Sequence, residues 1–207
     1  MSYRALTLWV VCAITYVKNP DVHPSKPTSK PMPIRHATSA DLPQIMDLIH
    51  LKANFDGCPG SVTATPEKLE QTLFSSQPMA HILLADVEAS ETQAAIGFAS
   101  YHFTYSTFLA QPSIWLDDIF IKQAFRNQSI GAKLIEQLCE IAVERGCGRI
   151  DWTVDIDNAA GIRFYQRMGG KLQTNVHLCR LTQPAIKQVV SGELERYEGE
   201  ALAYGQQ

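Results

Sequence analysis

The sequence lacks the features by which several large classes of protein are recognised. Its five cysteines are scattered, at positions 12, 58, 139, 147 and 179, without a C-x-x-C pair, so neither a zinc site nor a disulfide framework is indicated. A net charge of -3 offers no basic surface for nucleic acid. The motifs G-x-S-x-G, H-E-x-x-H and G-x-x-x-x-G-K-[ST] are absent. We therefore expect reduced thiols in a cytoplasmic protein, with no metal and no nucleic-acid partner.

The sequence also has no apolar run long enough to cross a bilayer as a helix, which takes about 20 residues. Residues 5–17 (ALTLWVVCAITYV) have the length of a signal-peptide core. However, Arg4 is the only basic residue before them, and no small-x-small cleavage site follows. We favour two interpretations of this run over an export signal. It is either a segment that packs on the domain or on a partner subunit, or the result of a start position assigned too far upstream. Five prolines in residues 19–33 predict an extended linker. The domain is expected at 34–190, and a polar tail at 191–207.

The remaining pattern predicts the element order β-α-α-β-β-β-α-β-α-β-β. Three consecutive strands precede a single strand–helix–strand crossover, so the order differs from the regular alternation of a doubly wound nucleotide-binding fold. Periodicity and turn residues place the strands at Ile34–Ala37, His81–Val87, Ala95–Tyr105, Ile114–Ile121, Arg149–Val154, Lys171–Leu172 and Val176–Leu181.

The stretch Trp115–Glu144 carries the strongest functional signal. It reads WLDDIFIKQAFRNQSIGAKLIEQLCEIAVE: an apolar strand with two aspartates, a polar turn, and a helix that starts on small residues. At a helix start, unpaired backbone N–H groups and the positive end of the dipole attract anions. The turn is therefore predicted to receive a phosphorylated cofactor.

Several polar residues allow either a structural or a chemical role. Asp117 and Asp118 point to opposite faces of a regular strand, unless a bulge redirects one of them, and composition alone does not decide between solvation and amine binding. Asn158 and Tyr165 lie two helical turns apart on one face, where a cap and a buried aromatic are the simpler interpretations. His102 lies among aromatic residues and is predicted to be a packing residue.

Taken together, four stretches resemble the GNAT superfamily of acetyl-CoA-dependent N-acetyltransferases, and most of all its diamine (spermidine/spermine) branch. They are Gly97–Tyr105, WLDDIFI, FRNQSIGAKLIEQLCEIA, and Asn158 followed by IRFYQRMGG. The resemblance covers about residues 34–190. It implies an α/β (α+β) GNAT fold, with a mixed, splayed sheet of about six to seven strands flanked by helices. It also implies acetyl-CoA as co-substrate and makes a homodimer the expected assembly.

The resemblance further implies the roles of individual residues. Tyr165 corresponds to the residue that protonates the departing CoA thiolate, while Asp117 and Asp118 correspond to an acidic pair that faces the amine. Asp117 is then the candidate proton acceptor, acting through water, and Asp118 and Tyr105 are expected to bind the substrate. The expected acetyl-CoA contacts are Ile119, Phe120, Ile121, Arg126, Asn127, Gln128, Ser129, Ile130, Gly131, Ala132, Asn158 and Tyr165.

Two departures from the family pattern concern these residues. Asn127 and Ser129 stand where the family turn usually has glycine, and serine tolerates left-handed backbone less well than asparagine. Asp117 stands where the branch commonly has glutamate, and it is shorter by one methylene, roughly 1.5 Å. A proton relay through water, and not direct abstraction by the shorter side chain, is therefore expected there.

The resulting prediction is an acyltransferase that moves acetyl from acetyl-CoA to a primary amine of a small cationic substrate, polyamine or diamine-like, by direct attack. Two alternatives stay open. One is a GNAT enzyme for another amine, such as an amino acid, a small amine drug or a protein N-terminus. The other is a domain that binds acyl-CoA without catalysis.

Overall fold

The computed structural model describes residues 31–87 and 94–193. The apolar run 5–17, most of the proline-rich segment, the loop 88–93 and the chain from 194 onward lie outside these ranges, and the interpretations of those segments stay predictions. The chain divides into two compact units, one ending at Lys171 and the other beginning at Leu172. None of the helices in the described ranges has the length and apolar character required to cross a membrane.

The first unit follows the predicted order of strands and helices. Its strands are β1 (Pro31–His36), β2 (His81–Val87), β3 (Ala94–Ser106), β4 (Gln111–Ile121) and β5 (Ile150–Asp151), and its α-helices are α1 (Leu42–Phe55), α2 (Pro66–Leu73), α3 (Ile130–Glu144) and α4 (Ala159–Arg167). Helix α5 (Gln183–Ser191) belongs to the second unit.

The five strands form one mixed sheet in the order β1-β2-β3-β4-β5. The first four are antiparallel to their neighbours, and β5 runs parallel to β4. Only Ile114 and Trp115 of β4 have partners on β5, so the two strands diverge after Trp115. The edge of β4 that faces β5 is consequently open from Leu116 to Ile121, as expected for a splayed sheet.

Helices cover both faces of the sheet. Leu134, Leu138 and Ile141 of α3 pack with Tyr165 of α4 on one face. On the other face, Ile45 and Leu48 of α1 pack on Phe98 and Phe120, with α2 at the margin. The central strands are buried on both sides, which explains why β2 and the end of β4 read as nearly continuous apolar runs.

Strand β1 begins at Pro31, three residues earlier than predicted, and so takes in the end of the segment assigned to the linker. Proline supplies no N–H for a ladder and is therefore tolerated on edge strands. Strand β1 is such an edge, since it pairs with β2 alone.

The predicted final pair of strands, at Lys171–Leu172 and Val176–Leu181, is wrong for the described residues, because neither segment pairs with another strand. Alternating apolar residues favour an extended strand, but a strand also needs a neighbour for its backbone groups. The sheet therefore has five strands in the described ranges instead of six to seven. Strand β5 is likewise shorter than the predicted Arg149–Val154.

A partly buried ion-pair cluster fixes the start of α1. Arg35 donates through both terminal nitrogens to the Asp41 carboxylate, each at 2.8 Å, and its Nε donates to Asp86. The Thr38 backbone N–H also donates to Asp41, at 2.8 Å. Hydrogen bonds from Arg35 lower the pKa of Asp41 from 3.8 to about 2.

Asp41→Asn is expected to lower the free energy of unfolding by about 2 kcal/mol at neutral pH. A carboxyl group whose pKa falls on folding stabilises the protein above its unfolded pKa. This contribution is lost as the pH falls from about 4 toward about 2, through the folded value. Urea unfolding at pH 7 and pH 3 measures it, with the exposed Asp47→Asn as control. An equal difference between Asp41→Asn and wild type at both pH values would contradict the assignment.

Candidate active site

A β-bulge at Asp117 turns both aspartates of β4 to one side of the sheet. The register between β3 and β4 shifts there, and Asp117 has no partner residue on β3. Leu116 and Ile119 therefore share the core that packs on α3, although residues three apart in a regular strand face opposite sides. The carboxylates of Asp117 and Asp118 both contact groups on the α1 side instead.

Asp117 is paired with a histidine of the neighbouring strand. Its Oδ2 lies 2.9 Å from Nδ1 of His102, and both side chains are 35% exposed. Burial raises the pKa of Asp117, and the hydrogen bond with His102 opposes that rise. His102, for which the sequence predicted a packing role, is therefore part of the polar site.

Asp118 is paired with a buried lysine of α1. Its Oδ1 lies 3.0 Å from Nζ of Lys52, and the same Nζ lies 2.5 Å from Asp56, the C-cap residue that follows α1. Burial on its own would lower the pKa of Lys52, but the charges of Asp118 and Asp56 raise it overall. Burial raises the pKa of Asp56, although Lys52 opposes the change.

These five residues, Lys52, Asp56, His102, Asp117 and Asp118, are called the bulge cluster below. Three carboxylates against one ammonium leave the cluster negative when His102 is neutral. Lys52 and Asp56 are almost fully buried, whereas the side chains of His102, Asp117 and Asp118 are 27–35% exposed. The exposed part of the cluster is therefore anionic and can attract an ammonium group.

The open edge of β4 runs from the bulge to the end of the strand. On its other side this part of β4 pairs closely with β3, where a Cβ on Gly97 would lie only 2.6 Å from the backbone oxygen of Phe120. Glycine thus permits close approach of the two backbones. Along the open edge, the backbone groups of Ile119 and the N–H of Ile121 face away from β3 and can pair with a ligand that adds a further extended segment.

The loop after β4 contains two residues with left-handed backbone. Asn127 and Ser129 both have φ of 61°, at the two positions where glycine was expected. Ser129 is the N-cap of α3, and the first amide to donate within the helix is that of Lys133, to Ser129 O at 3.0 Å. The amides between them belong to the first turn, whose N–H groups have no partner within a helix. Left-handed residues at a helix start favour anion-binding concavities.

A pocket of about 290 Å³ opens at this loop. Its lining includes six of the residues predicted to bind acetyl-CoA in the loop and helix start, together with Ile121 at the end of β4. Phe125, Phe164, Arg167 and Met168 also line it and were not predicted. The lining residues are Ile121, Phe125, Arg126, Asn127, Ser129, Ile130, Gly131, Ala132, Phe164, Arg167 and Met168.

Ser129→Gly is expected to raise the free energy of unfolding by up to about 1 kcal/mol. Left-handed backbone costs an L-residue roughly 1–2 kcal/mol, and the greater freedom of glycine in the unfolded chain offsets part of the gain. Thermal unfolding measures the change. Asn127→Gly, with the same φ, is the matched control and should gain less, because asparagine adopts this conformation more readily. A loss of stability in Ser129→Gly would contradict the assigned strain.

Arg126 is held by protein contacts as well as lining the pocket. Its Nε donates to the Ile121 backbone oxygen at 2.9 Å, and its guanidinium stacks 4.3 Å from the ring centroid of Phe55. Burial lowers the pKa of Arg126. These contacts tie the loop both to the end of β4 and to α1, and they restrict the guanidinium that was predicted to meet phosphate.

Helix α4 carries the remaining predicted residues. Asn158 caps it, with Oδ1 accepting from the Gly161 N–H at 2.8 Å, and is itself buried. Tyr165 is 3% exposed and lies against Trp152 and Phe164, with ring centroids 5.0 and 5.2 Å away. Phe164 lines the pocket, so Tyr165 contacts a residue of the pocket lining without itself lining the pocket.

Two further predicted residues lie apart from these contacts. Tyr105 is 66% exposed in the outer part of β3, opposite Pro112, and contributes neither to the pocket lining nor to the bulge cluster. Gln128 is exposed and donates weakly, at 3.4 Å, to the Ala124 backbone oxygen. The roles predicted for Tyr105 in substrate binding and for Gln128 in acetyl-CoA binding therefore stay predictions.

Comparison with known proteins identifies the family of this chain. The acetyltransferase (GNAT) family model matches residues 48–170. The L-ornithine N5-acetyltransferase NATA1 of Arabidopsis thaliana is 28% identical over 197 residues, covering 75% of this chain and 86% of that protein. A spermidine/spermine N(1)-acetyltransferase-like protein 1 of Homo sapiens is 30% identical over 139 residues, covering 66% of this chain and 20% of that protein.

The fold agrees with solved structures. An integron cassette protein from the mobile metagenome of V. cholerae superimposes with a TM-score of 0.62 at 21% identity, over 76% of this chain and 96% of that one. The predicted mixed α/β sheet and the predicted acyltransferase class are both confirmed. The matched region runs from α1 through the bulge, the open edge of β4 and the pocket loop to the end of α4, and the chain belongs to the acetyltransferase (GNAT) family.

Proposed function

We propose that this N-acetyltransferase moves the acetyl group of acetyl-CoA to a primary amine of a small cationic substrate, of the polyamine or diamine type. One observation carries the proposal. The open edge of β4 connects a pocket at a helix start, suited to phosphate, with an anionic cluster suited to an ammonium group. An acetyl donor and a cationic amine would therefore meet along a single strand.

The pocket loop fits the phosphates of acetyl-CoA. Amides at the start of α3 and the left-handed backbone of Asn127 and Ser129 supply N–H donors, and Arg126 adds positive charge. Extended backbone at Ile119–Ile121 would pair with the pantetheine arm, and Asn158 would complete the contact from α4. When bound, acetyl-CoA supplies an acetyl thioester for attack by a nucleophile.

Residues beside the open edge of β4 would supply the remaining catalytic roles. Backbone N–H groups near Ile119 would polarise the thioester carbonyl. Asp118 and the negative bulge cluster would hold the substrate ammonium, and Asp117 would help remove its proton by way of water. Tyr165 would give a proton to the departing thiolate.

A second candidate substrate is the side-chain amine of a basic amino acid. Lys52 already pairs with Asp118 at 3.0 Å, and this internal ammonium reduces the negative charge available to a second cationic group of the substrate. A basic amino acid carries an α-carboxylate beside its α-ammonium at the end remote from the reactive amine, and that carboxylate would meet less repulsion here than in a wholly acidic site. The relative NATA1 bears the name of an ornithine enzyme, which fits this candidate.

Release of free CoA across an amine panel tests the proposal. The panel contains putrescine, spermidine, ornithine, lysine, a neutral monoamine and a peptide with a free N-terminus. Turnover of diamines above amino acids supports the first candidate, and the reverse order supports the second. Acetyl-CoA binding by calorimetry without thiol release for any amine would contradict catalysis.

We also propose a cytoplasmic homodimer. The free cysteines at 58, 139, 147 and 179 suit a reducing compartment. Exposed apolar residues in the second unit, among them Val176, Leu181 and Val190, suit burial against another chain. The acidic balance of the sequence supports the absence of a nucleic-acid partner. Light scattering coupled to size exclusion measures the assembly, and a monomer at micromolar concentration would contradict the dimer.

A further inference from the structure

We propose that the imidazole of His102 is the general base of the reaction, and that Asp117 is the positioning residue that orients it. The inference rests on the proposed acetyl transfer, and it moves the role of proton acceptor from Asp117 to Nε2 of His102. Neither the family resemblance nor the pattern of residues pointed to this histidine. The contact with Asp117 does.

The bulge creates this pair. Trp115 is the residue of β4 that lies opposite His102. In a regular strand, Trp115 would therefore be the neighbour that contacts His102. The extra residue in β4 places the Asp117 carboxylate 2.9 Å from Nδ1. A carboxylate on Nδ1 selects the tautomer that has its proton there and leaves the Nε2 lone pair free to accept a proton. Within the described residues, Nε2 has no hydrogen-bond partner.

Histidine also suits the chemistry better than the aspartate. A general base is most effective when it titrates near the working pH, and an imidazole ordinarily does so near ~6.5, against ~3.9 for aspartate. Asp117 is also a short carboxylate. In the pair, its negative charge stabilises the imidazolium that forms after proton transfer, which is the orienting role that a carboxylate has in other histidine bases.

The proton balance is complete without a further reagent. The substrate ammonium gives one proton to Nε2, directly or through one water, and His102 later returns it to solvent. The amine lone pair forms the C–N bond as the C–S bond breaks. The leaving sulfur takes a proton from Tyr165, and the proton lost from the new amide nitrogen replaces it. One proton is released per acetyl group transferred.

Charged groups from two neighbouring elements act on His102. Asp117 and Asp118 face it from β4, and Lys52 with Asp56 lies behind Asp118 on α1. The three carboxylates place negative charge near the ring, and Lys52 places positive charge there. The acidic limb of the pH profile is therefore expected to respond to each member of the bulge cluster, and most to Asp117, which touches the ring.

The test compares pH profiles of kcat/KM for His102→Gln, Asp117→Asn and wild type, with the exposed His50→Gln as matched control. His102→Gln should lower kcat/KM about 100-fold near neutral pH and remove the acidic limb assigned to the base. Its rate should then follow the fraction of free amine as pH rises. Asp117→Asn should keep an acidic limb but move it to lower pH, because the imidazolium loses its partner.

The outcomes of this test distinguish His102 from Asp117 as the general base. If His102→Gln keeps kcat/KM within about twofold and retains the acidic limb, the inference is overturned. A profile abolished by Asp117→Asn but unchanged in His102→Gln would assign the base to Asp117. The acetyl-CoA KM and the melting temperature of each variant identify folding failure, in which case the shift in Asp117→Asn decides. Absence of CoA release by wild type would instead refute the proposed function itself.

Discussion

Replacing Tyr165 by phenylalanine is expected to lower kcat about 100-fold, the usual contribution of a positioned general acid, with little change in the acetyl-CoA KM. The substitution removes one hydroxyl oxygen and keeps the ring that packs on Trp152 and Phe164. Loss of the acid leaves the CoA sulfur to depart as a thiolate or to take its proton from water. Steady-state kinetics with saturating amine measures the effect.

The control is Tyr101→Phe, which makes the same change in a tyrosine of the same core, 2% exposed against 3% for Tyr165. A loss caused by packing would appear in both variants and in their melting temperatures. A loss caused by proton donation appears only in Tyr165→Phe, which should also lose the basic limb of its kcat profile. An unchanged kcat would remove Tyr165 as the acid.

The sequence is most informative where one physical requirement dominates. Strand β4 and helix α3 follow from an apolar run and a 3.6-residue period, and β4 ends at Ile121 as predicted, although it begins at Gln111 and not at Ile114. The left-handed pair, Asn127 and Ser129, shows the opposite case. The family pattern expected glycine there, but the residue types argued against positive φ at Ser129. The fold of the loop prevails over the preference of serine.

The bulge could not be derived from the sequence. The pair Asp117–Asp118 is compatible both with a regular strand and with a bulged one, and the choice depends on how β3 and β4 align over their whole length. The pairing of Asp117 with His102 could therefore not be predicted from the sequence either. His102 is 15 residues away along the chain, and only the shifted register brings its ring to the carboxylate.

Lys52 illustrates a second limit. Lysine is among the residues least often buried, so a position on α1 next to apolar neighbours predicts a side chain that reaches solvent. The structure buries it because Asp118, 66 residues further along the chain, and Asp56 supply two carboxylates. Long-range pairing of this kind leaves no local pattern. It nevertheless determines how much negative charge the site presents to a substrate.

Lys52→Met is accordingly expected to have two effects, one on stability and one on specificity. The free energy of unfolding should fall by about 3 kcal/mol, because removing one partner of a buried pair leaves uncompensated charge. Without Lys52, the burial that raises the pKa of Asp56 is no longer opposed by a neighbouring ammonium group. A carboxyl group with a raised folded pKa stabilises at low pH and loses that contribution as pH rises, so the deficit should be larger at pH 8 than at pH 5.

The effect on specificity follows from the freed carboxylate. Without the internal ammonium, Asp118 is available to a second cationic group of the substrate, and kcat/KM for spermidine relative to ornithine should rise about tenfold, equivalent to roughly 1.4 kcal/mol. The double variant Lys52→Met with Asp56→Asn is the control, since it removes a buried carboxylate and should recover part of the stability while keeping the shift in preference. An unchanged spermidine-to-ornithine ratio in both variants would show that Lys52 only stabilises the fold and does not set the charge that the substrate meets.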